Sequence, residues 1–168
     1  MGASAGQIAP GNDPPLGDVD RGPPSSERGD QYCLGMAIRV AAWLAAAIFF
    51  IVAAFQAALV LGAPWGEYTQ GGGTSGALAS SGRLLAAVSC VLSIVIAGAI
   101  LARAGEGPLQ RLPARVVTVL AWVATVYSAV AVVLNIITRS TAERALWAPV
   151  SIVLLVLVAT VMVTTRRT

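Results

Sequence analysis

The chain has 168 residues, of which 57% are hydrophobic and only 11% charged, with a net charge of +3. A water-soluble domain carries about 25% charged residues, so this chain lacks the polar surface to face water on every side. All eleven basic residues are Arg, and most flank apolar runs, which ties the positive balance to membrane orientation and excludes nucleic acid as the expected partner.

Residues 1–31 are rich in Gly, Pro, Ser and Asp and almost free of large apolar side chains. Such a composition cannot bury a core and reads as a disordered tail. Asp13, Asp18, Asp20, Glu27 and Asp30 outnumber Arg21 and Arg28, so the tail is acidic. It is either an unstructured extension or a partner-binding arm, with Ser25 and Ser26 as a phosphorylation platform.

Residues 32–168 carry four apolar runs, about 40–61, 84–102, 116–137 and 146–163, and none contains a charged residue or His. Each approaches the roughly 20 residues that a helix needs to cross a hydrocarbon core about 30 Å thick. The predicted fold class is therefore an all-α membrane protein with four transmembrane helices. The first run is 22 residues long, against about 7–15 for the core of a signal peptide. Ala63 after it is followed by Pro64, a poor cleavage context, so the first helix is expected to be retained.

Leaving aside Arg21 in the tail, seven Arg residues (Arg28, Arg39, Arg103, Arg111, Arg115, Arg166, Arg167) fall on one side of these spans and three (Arg83, Arg139, Arg144) on the other. The excess of basic residues on the cytoplasmic side predicts that both termini are cytoplasmic and that the helices form an up-down-up-down bundle in the cell membrane. Cys33 and Cys90 then lie toward opposite faces and cannot pair.

Two outer segments follow. In the first, Gly62 can end the helix in a left-handed conformation and Pro64 stops its continuation. The run Gly71-Gly72-Gly73 predicts a flexible middle. In the second, Ser140 and Glu143 have the spacing of a capping box that starts helix 4. Pro149 lies inside that helix, where a kink is expected. Trp65, Tyr68 and Trp147 at the outer interface, and Trp43 and Trp122 at the inner one, read as aromatic belts.

Polar residues inside the spans are few. Gln56, Ser89 and Ser151 lie about 7 Å below the outer boundary, with Asn135 somewhat shallower. Gln56 and Asn135 are expected to turn away from lipid and to hydrogen-bond across helices 1 and 3. The wider reading is the floor of a small outward-facing pocket. Ala121, Ala124, Ser128, Ala131 and Asn135 form a small-residue stripe on helix 3, and Ala86, Ser89, Ser93 and Ala97 one on helix 2. Such stripes are packing faces. Outside the spans, Trp65, Glu67, Arg83, Arg139, Glu143, Arg144 and Trp147 form a candidate outer patch, with Arg139 and Glu143 spaced for a local ion pair.

Gly62-Ala63-Pro64-Trp65-Gly66, Ala102-Arg103-Ala104-Gly105, and Asn135 with Glu143-Arg144-x-x-Trp147-x-Pro149 together resemble a family of uncharacterised small four-helix bacterial integral membrane proteins. The resemblance covers roughly residues 40–165 and implies the same bundle, with no activity attached.

No His, no Cys-x-x-Cys and no nucleophile–base pair is visible, so no enzyme, cofactor or metal site is expected. The leading expectation is a non-enzymatic accessory, assembly or regulatory subunit. It would act by helix–helix and outer-loop contacts with a protein partner or a second copy in the lipid bilayer. The alternative is a small oligomeric transporter or channel. An ion-coupled exporter depends on an intramembrane carboxylate, whereas Glu67, Glu106 and Glu143 are all expected in connections.

Overall fold

The structure, a computed structural model, describes Gly2 and residues 25–165. It is all-helical: α1 (Ser25–Val60), α2 (Ser80–Arg103), α3 (Ala114–Ile137) and α4 (Thr141–Thr164), with short 3₁₀ turns at Gly66–Tyr68, Gln70–Gly72 and Pro108–Arg111. All four helices are long and apolar enough to cross a membrane. α2, α3 and α4 have 24 residues each, about 36 Å of helix. α1 begins at Ser25, within the stretch whose composition reads as tail. Most of that stretch lies outside the described residues, as do Arg166 and Arg167.

α1 packs chiefly on α2 and α3 on α4. Contacts of α1 with α4 and of α2 with α3 close the four helices into a ring, and the diagonal pairs, α2 with α4 and α1 with α3, meet least. Alanine makes this closeness possible. Ala42, Ala45, Ala46 and Ala53 put one face of α1 into the core, where Ala97 of α2 and Ala124 of α3 are also fully or almost fully buried. Small side chains let backbones approach, so dispersion contacts accumulate where lipid supplies no hydrophobic drive. Phe49, Ile100, Val158 and Val161 fill the space the alanines leave.

Both small-residue stripes face inward: Ala121, Ala124 and Ser128 on α3, and Ala86, Ser93 and Ala97 on α2, are buried. Their hydroxyls are satisfied within their own helices, Ser93 Oγ donating to Ser89 O and Ser128 Oγ to Ala124 O, both at 2.8 Å. An apolar surround leaves a hydroxyl few other partners. The opposite faces carry mostly apolar side chains, and Val88, Val91 and Val95 of α2 are exposed.

Helix ends follow local chemistry. Gly62 is left-handed (φ 99°) and Ala63 N donates back to Ala58 O at 2.9 Å, closing α1 as expected. Gly105 (φ 77°) closes α2 likewise, with Glu106 N donating to Leu101 O at 2.8 Å. At this second end Arg39 Nε pairs with Glu106 Oε1 at 2.6 Å, and Arg103 Nη2 donates to Thr165 O at 2.9 Å. Cys33 and Cys90 are both free thiols.

Enlarging the core face should be costly. Ala45→Leu is expected to lower stability by about 1–3 kcal/mol through overpacking, whereas the exposed Val88→Leu should leave it within about 0.5 kcal/mol. Thermal unfolding of the two variants in one detergent checks the contrast.

Candidate functional site

Where α1 meets α2 and α3 meets α4, the two connections fold onto each other as a single cap. The longer one is closed at its base by Gly66 N donating to Gly76 O at 2.9 Å. Only glycine fits at Gly66, because a Cβ there would lie 2.6 Å from Thr74 O. Arg83 braces the loop from α2: Nε donates to Leu78 O at 3.0 Å, and the guanidinium lies over Gly62. Gln70, in a left-handed backbone conformation (φ 53°), sends its side-chain Nε2 to Gly82 O at 2.8 Å.

Four hydrogen bonds then tie this loop to the start of α4 or steady the groups that hold it. Gly71 N donates to Glu143 Oε2 at 2.9 Å, and Thr138 Oγ1 donates to the same oxygen at 2.7 Å. Ser140 Oγ donates to Glu67 O at 2.9 Å, and Trp147 Nε1 donates to Tyr68 O at 2.8 Å. The glycine run, expected as a flexible tip, is fastened instead: Gly71 and Gly72 take positive φ, and Gly72 approaches Ser140 too closely for any side chain. Phe55 links the layers, stacked on Trp65 with centroids 5.8 Å apart and edge-on to Trp147 at 4.9 Å.

The capping box forms by half. Ser140 Oγ accepts from Glu143 N at 3.1 Å, as the spacing predicts, but the Glu143 carboxylate turns to Gly71 and Thr138 instead of back to its own cap. For the same reason the expected Arg139–Glu143 pair is absent: among the described residues the one ion pair is Arg39–Glu106. Arg144 donates to Thr138 O, and Arg139 is exposed. The candidate outer patch thus divides. Glu143 is buried, while Arg83 and half-buried Trp147 act as struts. Trp65, Glu67, Arg139 and Arg144 remain on the surface.

Beneath the cap lies a cavity of about 260 Å³ between α1, α3 and α4. It brings together three of the four intramembrane candidates, Gln56, Asn135 and Ser151, with Glu143 and Trp147. Ser89, on α2, is not among its lining. The expected amide pair does not form. Among the described residues Gln56 Oε1 is buried without a hydrogen-bond partner, and Ser151 Oγ donates within α4 to Ala148 O at 3.0 Å. Glu143, expected in a connection, lies in the first turn of α4 and faces this cavity. Phe49 and Tyr127 supply aromatic wall. Neither stands out from the apolar runs in sequence, and Thr138 and Gln70 likewise gain their roles only from the folded cap.

The chain matches no family model, no curated protein and no solved structure.

Removing the Glu143 carboxylate leaves the Gly71 N–H without its acceptor. Glu143→Ala is expected to cost about 2–3 kcal/mol, the range for a hydrogen bond to a charged group. Glu67→Ala, whose side chain is exposed, should cost under about 0.5 kcal/mol. Equal unfolding midpoints for the two variants would overturn the assignment of Glu143 as the cap's anchor.

Proposed function

We propose that the chain is an integral membrane protein, an up-down-up-down four-helix bundle with both termini cytoplasmic. It acts as a non-enzymatic accessory, assembly or regulatory subunit through contacts of its helices and its cap. The cap carries this reading. Its inward polar groups are committed to holding two connections together, and its outward groups, Trp65, Glu67, Arg139 and Arg144, stand on a surface of fixed shape. Pre-ordered polar and aromatic groups suit recognition of another protein, because little side-chain freedom is lost on binding. The Arg distribution, seven against three, supports this orientation, with the cap toward the outer face. The exposed apolar helix faces support embedding in a bilayer.

A second reading, a small oligomeric transporter or channel, is favoured by one observation: the cavity among α1, α3 and α4 has a carboxylate in its wall. Flux of a labelled solute from proteoliposomes addresses it.

The accessory reading is tested by brief crosslinking of the tagged protein in its native membrane, mild-detergent purification and mass spectrometry. A stoichiometric partner is expected, and its recovery should fall about tenfold when Glu67 and Arg139 are reversed in charge, with the unfolding midpoint unchanged. Recovery of the chain alone, or of a self-oligomer alone, would overturn it.

A further inference from the structure

We propose that the cavity between α1, α3 and α4 binds a small amphipathic amine, its protonated nitrogen held by Glu143 and Gln56 and its apolar body by the aromatic wall. This inference is independent of the accessory reading.

Three observations converge on it. The first is charge. Glu143 is the one ionisable acid or base lining the cavity apart from the phenol of Tyr127, and no Arg pairs with it among the described residues. Its Oε2 accepts from Gly71 N and Thr138 Oγ1, whereas its Oε1 accepts no hydrogen bond among the described residues. A carboxylate with one oxygen uncommitted, in a wall that holds no cation, attracts a positive ligand group.

The second observation is hydrogen-bonding capacity. Gln56 Oε1 is buried with no partner among the described residues. A buried acceptor left unmade costs about 1–3 kcal/mol, which a ligand N–H would relieve. Ser151 Oγ has donated its hydrogen to Ala148 O and offers only lone pairs. Glu143 Oε1, Gln56 Oε1 and Ser151 Oγ thus present three acceptors beside the amide and phenol donors of the wall, as an ammonium with several N–H groups requires. A quaternary ammonium would leave them unanswered. An anion would meet Glu143 head on.

The third is the wall. Phe49, Tyr127 and Trp147 line the same space with Val150 and Leu154. Aromatic faces hold both an apolar body and a neighbouring cation. Trp147 is fixed in place by its bond to Tyr68 O, so the wall is formed before the ligand arrives. The shared chemistry, a protonated amine on an apolar body, fits a free amine or the headgroup of an aminophospholipid.

The test uses the full chain in phosphatidylcholine nanodiscs, titrated calorimetrically with phenethylammonium and with phenethyl alcohol, empty nanodiscs serving as the blank. Saturable amine binding, about tenfold tighter than the alcohol, is expected. Gln56→Leu should weaken the amine about fivefold, and Glu143→Gln, which keeps an acceptor for Gly71 N, should erase the preference for amine over alcohol. Gln56 takes no part in the cap, so its variant decides the matter if Glu143→Gln fails to fold. Phosphatidylethanolamine in the nanodisc distinguishes the sources: competition with the amine assigns the site to the lipid headgroup, and its absence assigns it to a free amine. No saturable binding, equal affinity for amine and alcohol, or unchanged amine affinity in folded Gln56→Leu would overturn the proposal.

Discussion

One carboxylate oxygen holds three parts of this molecule in register. Glu143 Oε2 accepts from the backbone of the α1–α2 connection at Gly71 and from the Thr138 hydroxyl just past the end of α3, while its own backbone sits in the first turn of α4. A buried charge is tolerable only when hydrogen-bonded, and the N-terminus of a helix adds a favourable field for an anion. Both conditions are met by the loop closing over it. The glycines at 71 and 72, the cap at Ser140 and the strut at Trp147 all depend on that closure, and so does the roof of the cavity below.

The remainder of the bundle is built under a different constraint. Among apolar surroundings there is little to gain from hiding more apolar surface, so helix association rests on close packing. The chain answers with alanine: the core-facing positions of α1 are largely Ala, with Phe49 and Leu59 the fully buried large side chains among them. Hydroxyls fold back onto their own helices. What polarity remains is gathered at the cap end, where Gln56, Asn135, Ser151 and Glu143 border one space.

The four helices were legible because an apolar run near bilayer length has few other readings, and the helix stop at Gly62 follows from backbone chemistry local to its turn. The Ser140 cap was equally local. The destination of the Glu143 side chain was not. Spacing offers it Arg139 just before its own helix and Ser140 at its own cap, and the partner that wins, Gly71, is 72 positions away. Gln56 and Asn135 lie at similar depths, which sequence reveals, but whether two such amides meet depends on helix rotation and on the volume between them. Here a cavity lies in that position. Side-chain chemistry could be read; side-chain company required the fold.

The length of α1 has a mechanical meaning. At 36 residues it is about 54 Å long, well beyond a hydrocarbon core of about 30 Å. The Arg39–Glu106 bridge clasps it to the connection between α2 and α3, so the turns that precede Arg39 continue past the body of the bundle as a stalk of roughly 20 Å. A stiff spacer of this kind separates two tasks along one chain. The N-terminal end of α1 therefore stands off from the clasp, and a sideways pull on it reaches the bundle as a torque about Arg39.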